Sequence, residues 1–257
     1  MHIAMKKLAA GIAIMALSTS GFTQCVKHSP AHTAALVELY TSEGCNSCPP
    51  ADRWLMKLGA TDSVVPLSLH VDYWDYIGWK DRFADARFTA RQRELAALSR
   101  GTVVYTPEVF IGLREQRNWS SDSAFRDALT RINAMPARAA IRIELARADA
   151  GGLDVKAAFR LAPGVAAPEA QAFIALYENG LVSEVKAGEN RGVTLRHDAV
   201  VRHWVGPLAL ERGATELRRT LPVPAGSIMK NLGVAAFVQD AAGRDVLQAT
   251  SLAVCSA

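Results

Sequence analysis

The hydrophobic periodicity of this 257-residue chain changes near Pro136, and that change limits the folds it can adopt. Before Pro136, short apolar runs typical of buried strands alternate with segments whose apolar residues recur at helical spacing. The strand-like runs are 34–40, 64–71 and 109–111, and the helix-like segments are 51–58, 88–98 and 123–132. This order predicts an α/β domain with a partly parallel sheet over residues 34–136.

After Pro136, apolar and polar residues alternate with the period of two that half-buried strands require. Turn residues suggest two hairpins, one over 172–185 around Asn179-Gly180 and one over 234–254 around residues 240–243. Several short strands without a convincing long helix are typical of a β-sandwich. We therefore predict an all-β, sandwich-like domain over residues 137–257.

The sharpest local feature is the pair Cys45 and Cys48, which stands between an apolar strand and an amphipathic helix. A thiol at a helix start meets unpaired N–H groups and the positive end of the helix dipole, and both favour the thiolate. A second thiol one turn further can attack the mixed disulfide that the first one forms. The pattern predicts Cys45 as an accessible attacking sulfur and Cys48 as the resolving sulfur.

The same spacing is also compatible with an inert local disulfide in a secreted protein. A zinc site would require two further Cys or His ligands, and the chain has no second CxxC. Thr106 and Pro107 precede another apolar strand, where a proline can adopt a cis peptide bond. We expect their backbone to bind substrate beside the cysteines, and the alternative is an ordinary trans proline at an edge strand.

The longer motifs resemble those of one family. They are TSEGCNSCPPAD, LSLHVDYWDYIGWKDRFADARFTARQRELA, VYTPEVFIG and GENRGVTLRHDAVVRHW. These motifs are similar to the secreted bacterial family labelled domain of unknown function 1223. The resemblance implies a thioredoxin-like fold for residues 34–136 and a candidate dithiol, but it implies no assigned reaction.

Carried over from thioredoxin-like proteins, the resemblance implies roles for individual residues. Cys45 matches the nucleophile, Cys48 the resolving thiol and Pro107 the cis-proline. Glu38 lies in the strand where those proteins keep a buried acid near the second thiol. Such an acid has a raised pKa and can take the proton from Cys48. The alternative for Glu38 is a solvent-facing or salt-bridged strand residue.

The other two cysteines, Cys25 and Cys255, lie near the two ends of the chain. Four cysteines allow three pairings, and local closure of Cys45 with Cys48 leaves Cys25 with Cys255. We predict that this structural disulfide ties an N-terminal arm, residues 21–33, to the last strand. Two free thiols, or a bond between chains, are the alternatives.

The first 20 residues have the order of a secretory signal peptide. Lys6 and Lys7 precede an apolar run, and small residues follow it. The run is shorter than the ~20 residues of a membrane span, so we predict a periplasmic or secreted protein with no stable span after cleavage. An uncleaved anchor and lipid attachment at Cys25 remain alternatives. Neither half of the chain has the basic excess of a nucleic-acid-binding protein.

These observations predict an extracytoplasmic thiol–disulfide oxidoreductase whose partner is a protein or a small thiol. No organic cofactor and no metal is expected, because the dithiol itself carries the electrons. One alternative is a non-catalytic binding module in which the bond between Cys45 and Cys48 is structural. Another is a Cu(I)-handling protein that holds the soft ion with the reduced pair.

Overall fold

The computed structural model describes residues 25–99, 101–148, 151–242 and 245–255. The predicted signal peptide, residues 1–20, lies outside these ranges, and the predicted N-terminal arm is described from Cys25 onward. None of the helices in the described ranges has both the length and the hydrophobicity that a membrane span requires.

The described residues form three α-helices and fourteen β-strands. The helices are α1 Pro49–Leu58, α2 Ala86–Leu98 and α3 Asp122–Asn133. The first seven strands are β1 Cys25–His28, β2 Ala35–Thr41, β3 Val64–His70, β4 Glu108–Ile111, β5 Arg114–Glu115, β6 Ala139–Arg147 and β7 Leu153–Leu161. The other seven are β8 Ala170–Glu178, β9 Leu181–Glu184, β10 Thr194–His197, β11 Val200–Ala209, β12 Ala214–Leu221, β13 Leu232–Asp240 and β14 Asp245–Ala253.

One eight-stranded mixed sheet runs through the molecule, in the order β14-β13-β8-β11-β3-β2-β4-β5. Strand β3 pairs in parallel with β2 on one side and with β11 on the other, where Val200 lies opposite Ser68. A second, four-stranded sheet has the order β1-β6-β7-β12, and β9 pairs only with β10 among the described strands. Strands from both sides of the predicted boundary at residue 136 therefore share one sheet.

The predicted fold class, an α/β thioredoxin-like N-terminal domain followed by an all-β sandwich-like domain, is wrong. Strands outnumber helices, and the edge of β3 that would close an N-terminal sheet is occupied by β11. The predicted hairpin over 172–185 is also wrong, because β8 pairs with β11 and β13 while β9 pairs with β10. The hairpin around residues 240–243 is confirmed as β13 and β14.

The two faces of β2 carry different cores, and this division positions the cysteine helix. Val37 and Leu39 face a cluster that includes residues of α1 and α3. Leu36 and Tyr40, on the opposite face, belong to a cluster that includes residues of α2. Burial of alternate side chains on both faces is expected for a strand in the centre of a sheet covered on both sides.

The predicted disulfide between Cys25 and Cys255 is confirmed, with the two Cα atoms 6.0 Å apart. Cys25 begins β1, where it lies opposite Leu145 of β6, and Cys255 follows β14. The bond joins residues 230 positions apart, so it links the N-terminal arm to the end of the chain as expected.

Candidate functional site

The second disulfide closes the CxxC motif at the start of α1. Cys45 and Cys48 are bonded, with their Cα atoms 5.5 Å apart. The backbone oxygen of Cys48 accepts hydrogen bonds from the N–H groups of Ala51 and Asp52, and Pro49 is the first helical residue. Proline suits that position because the first helical N–H groups have no intrahelical partner. The motif thus lies at the helix N-terminus, as its sequence predicts.

Both bonded cysteines are 0% exposed, although Asn46 and Ser47 between them are exposed. The expectation of an accessible Cys45 sulfur is therefore wrong for this conformation. Its Sγ lies 3.3 Å from the Ser47 hydroxyl oxygen and 3.7 Å from the backbone oxygen of Thr106. Ser47 and Thr106 thus lie directly against the buried sulfur.

The segment containing Thr106 and Pro107 lies directly beside Cys45, and the peptide bond between these two residues is cis. The Thr106 backbone oxygen accepts a hydrogen bond of 3.3 Å from the Ser47 hydroxyl. The Thr106 hydroxyl accepts another, 2.7 Å long, from the indole N–H of Trp74. The predicted neighbourhood of the cysteine pair and this proline is present in the fold.

Two further segments cover the motif, namely the aromatic turn 72–79 and the connection 185–193 between β9 and β10. A Cβ atom on Gly44 would lie 3.1 Å from Ile77 Cδ1 and 3.2 Å from Trp74 Cβ, so the turn packs closely on the CxxC loop. From the other segment, the Asn190 amide donates to the backbone oxygens of Glu43 and Cys45 at 2.8 and 2.9 Å. The motif is held between these two segments.

A buried cluster of five ionisable side chains lies next to the motif. Each of its members is at most 5% exposed, and they are Glu43, Asp52, His70, Asp81 and His197. They come from the CxxC loop, α1, the end of β3, the segment before α2 and the end of β10. Within the cluster, His70 is hydrogen-bonded to Asp81.

The best-defined pair in the cluster is His70 with Asp81, where His70 Nδ1 lies 2.7 Å from Asp81 Oδ2. Asp81 also accepts hydrogen bonds from the backbone N–H groups of Glu43 and Phe83, each 2.9 Å long. Burial acts to raise the pKa of Asp81, but His70 and these donors lower it overall. Burial acts to lower the pKa of His70, but Asp81 and the other carboxylates raise it overall. The pair is therefore held as an ion pair.

His197 lies between the other two carboxylates of the cluster. Its Nε2 is 3.7 Å from Glu43 Oε1, and its Nδ1 is 3.9 Å from Asp52 Oδ2. Neither imidazole nitrogen has a hydrogen-bond partner among the described residues, and the same holds for Asp52 Oδ1 and Glu43 Oε1. The second Glu43 oxygen accepts a 2.8 Å hydrogen bond from the indole N–H of Trp79.

The cluster's two remaining carboxyl groups differ in pKa. Burial raises the pKa of Asp52 despite the attraction of His197 and His70. Burial also acts to raise the pKa of Glu43, but interactions with His197, Ser183 and Trp79 lower it overall. The pKa values of the two carboxyl groups beside His197 are thus shifted in opposite directions.

Glu38 is not brought to this cluster. Its carboxylate forms two hydrogen bonds, 2.6 and 3.0 Å long, with the guanidinium of Arg91 on α2. It alternates along β2 with Val37 and Leu39, which face α1, so its side chain lies on the opposite face of the sheet. The alternative of a salt-bridged strand residue describes Glu38 in this structure.

Sequence reasoning did not identify Asp52 or His197 as site residues. Asp52 carried one usable signal, since it stands four positions after Cys48 and such residues share a helix face. His197 carried none, because nothing local to residues 188–204 indicates that β10 lies against α1. The described residues contain no group of three or more His, Cys, Asp or Glu side chains placed to hold a metal ion.

Comparison with known structures shows how far the fold is shared. The protein AGR_C_4864 from Agrobacterium tumefaciens is 25% identical, with a TM-score of 0.60 over 88% of this chain and 96% of that one. HBP35 of Porphyromonas gingivalis is 13% identical, with a TM-score of 0.65 over 88% of this chain and 76% of that one. The second likeness concerns the fold alone. None of the curated proteins has significant sequence similarity to this chain.

A family model described as "Protein of unknown function (DUF1223)" matches residues 36–239. This range includes the CxxC motif, Thr106 and Pro107, and every residue of the buried cluster. It also covers most of both strand-rich halves of the chain. The chain therefore belongs to the DUF1223 family.

Proposed function

We propose that this protein is a thiol–disulfide oxidoreductase in which Cys45 and Cys48 exchange electrons with a protein or small-molecule thiol. The observation that carries the proposal is the position of the Thr106 backbone oxygen, 3.7 Å from Cys45 Sγ, beside a CxxC at a helix N-terminus. A bound peptide segment could pair with the backbone there while its sulfur meets Cys45. A purely structural bond between Cys45 and Cys48 requires neither the nearby Thr106 oxygen nor a position at a helix N-terminus.

The exchange needs no organic cofactor, because the dithiol holds both electrons. In the oxidising direction, a substrate thiolate attacks Cys45, the bond between Cys45 and Cys48 breaks, and Cys48 leaves as a thiolate. A second substrate thiolate then displaces Cys45, which leaves a substrate disulfide and a reduced CxxC. The reducing direction is the reverse, with the Cys45 thiolate favoured by the N-terminus of α1.

Because both sulfurs are buried, exchange requires the cover to move. Ser47 and Thr106 lie directly against Cys45 Sγ, and the aromatic turn 72–79, where Tyr76 is 82% exposed, packs on Gly44 and Thr106. A partner that displaces this turn would reach Cys45 without unfolding α1. We propose that the structure describes the closed state of the dithiol.

The same proposal includes an extracytoplasmic location. Two disulfides in one chain suit an oxidising compartment, and the pattern of residues 1–20 is that of a secretory signal. In such a compartment the partners would themselves carry thiols or disulfides.

A second candidate function is a binding protein in which the Cys45–Cys48 bond is only structural. The complete burial of both sulfurs favours it. The two candidates differ in reactivity, since a structural bond resists exchange with glutathione and has a potential below about −300 mV.

The test is the formation of a mixed disulfide with oxidised glutathione as the defined probe, a reaction that releases one reduced glutathione. The Cys48→Ala variant leaves Cys45 unpaired, and we expect it to form a glutathione adduct that mass spectrometry locates on Cys45. The matched control is Cys45→Ala, in which we expect a slower reaction at Cys48. The bond between Cys25 and Cys255 is present in both variants. The reaction rate of each folded variant is compared with the rate of the same variant when it is unfolded. If neither variant reacts faster in the folded state, the oxidoreductase proposal fails and the structural bond is supported.

A further inference from the structure

The buried cluster behind the CxxC motif has a composition that packing alone does not explain. It places three carboxyl groups and two imidazoles out of solvent. Burying such groups without hydrogen bonds is costly. Yet Glu43 Oε1, Asp52 Oδ1, His70 Nε2 and both nitrogens of His197 lack hydrogen-bond partners within the described chain. Groups held in this way are suited to accepting and releasing protons.

Asp52 is the member of the cluster that lies on α1, four positions after Cys48. Cys48 precedes α1 with helical backbone angles, and the Asp52 N–H donates to its backbone oxygen at 3.1 Å. Residues four apart in a helix lie on the same face, with about 5–6 Å between their Cβ atoms. The Asp52 side chain therefore leaves α1 one turn after Cys48 and on the same face of the helix.

His197 connects Asp52 to a second acid. One ring nitrogen faces Asp52 and the other faces Glu43, at 3.9 and 3.7 Å. Both gaps exceed hydrogen-bond length, so proton transfer across either one requires the ring and the carboxyl group to approach each other. The remaining pair, His70 and Asp81, lies alongside, with the two imidazole centroids 5.0 Å apart. The ion pair of His70 with Asp81 therefore lies on one side of His197.

We propose that Asp52 exchanges a proton with Cys48, and that His197 passes this proton between Asp52 and Glu43. When Cys45 is attacked and Cys48 leaves as a thiolate, the Asp52 carboxylic acid gives it a proton and becomes a carboxylate. In the reverse step, the Asp52 carboxylate takes the proton from the Cys48 thiol, which then attacks the mixed disulfide. No additional oxidant or reductant is required.

This inference rests on the proposed oxidoreductase function, and it assigns the acid–base role that the resemblance had implied for Glu38. Asp52 acts directly on Cys48, whereas His197 is a positioning residue that acts through Asp52. A raised pKa of Asp52 fits the role, because the acid must hold a proton until the thiolate forms.

The test measures the rate at which a glutathione mixed disulfide on Cys45 is resolved by Cys48, between pH 5 and pH 9. We expect Asp52→Asn to slow this step roughly 100-fold at pH 7, the lower range for general acid–base catalysis, and to remove the limb of the pH profile that reports Asp52. We expect Asp52→Glu to restore part of the rate. His197→Gln should displace the same limb along the pH axis.

Asp245→Asn is the control, because it removes one carboxylate that pairs with Arg138 away from the dithiol. An unchanged pH profile in Asp52→Asn overturns the relay while leaving the oxidoreductase function intact. Absence of exchange in the unmodified protein overturns the function itself. If Asp52→Asn does not fold, the His197→Gln profile decides the question, and a profile equal to the unmodified protein's overturns the relay.

Discussion

The two disulfides should contribute very different amounts to stability, because they close loops of different length. The bond between Cys25 and Cys255 joins residues 230 positions apart, and the bond between Cys45 and Cys48 joins residues 3 apart. In the chain-entropy model, closing these loops in the unfolded state is worth about 5.5 and about 1.6 kcal/mol respectively. The long-range bond should thus stabilise the fold by roughly 4 kcal/mol more than the CxxC bond.

The comparison uses two double variants, Cys25→Ala with Cys255→Ala, and Cys45→Ala with Cys48→Ala. Removing buried sulfur also leaves a cavity, and that penalty opposes the expected order. Cys45 and Cys48 are both 0% exposed, whereas Cys25 is 5% exposed and Cys255 is half-buried, so the CxxC variant has the larger cavity cost. A greater loss in the Cys25 and Cys255 variant therefore reflects loop closure.

Urea unfolding followed by tryptophan fluorescence gives the free energy of unfolding for each variant. A second readout is the m-value, which should rise in the Cys25 and Cys255 variant because its unfolded chain exposes more surface. Equal losses in the two variants, or an unchanged m-value, would contradict the assignment of the long-range bond as the structural one.

Three further predictions follow from single contacts. Arg91→Met leaves the buried Glu38 carboxylate unpaired and should cost about 3–5 kcal/mol in urea unfolding, much of it recovered in the double variant with Glu38→Gln. Burial raises the pKa of Glu108 from 4.5 to about 7, so the folded state binds the proton more tightly and stability should fall as pH rises through that window. Thermal unfolding of Glu108→Gln should show a flatter pH dependence there, and a parallel dependence would contradict this. Trp74→Phe removes the hydrogen bond to Thr106 and thereby loosens the cover over Cys45. Glutathione should therefore react faster with this variant than with the unmodified protein. An equal rate would mean that the turn 72–79 does not limit access to Cys45.

Local elements were predictable because their signals are local. All three helices lie within a few residues of the predicted segments, and the strands β2, β3 and β4 lie at the predicted runs. The two disulfides were also predictable, because pairing the neighbouring cysteines Cys45 and Cys48 leaves Cys25 to pair with Cys255. The neighbourhood of Thr106 and Cys45 came from the resemblance together with the order of strand and helix.

Sheet order was not predictable from these signals. A period of two shows which residues of β8 or β11 are buried, but it does not show which strand lies alongside. Asn179-Gly180 is a strong hairpin signal, yet β8 finds longer partners in β11 and β13 while β9 pairs with β10. The pairing of β8 with the long buried strands β11 and β13 therefore outweighed the local turn preference of Asn179-Gly180.

The sequence by itself predicted that a cysteine pair begins a helix and that a Thr-Pro element precedes a later strand, and it limited the cysteines to a few pairings. Only the tertiary structure decided that the sulfurs are covered, that Glu38 faces Arg91, and that His197 lies against Asp52. The physical reason is range: capping and turn chemistry act over a few residues, whereas burial depends on which distant strands complete the sheet.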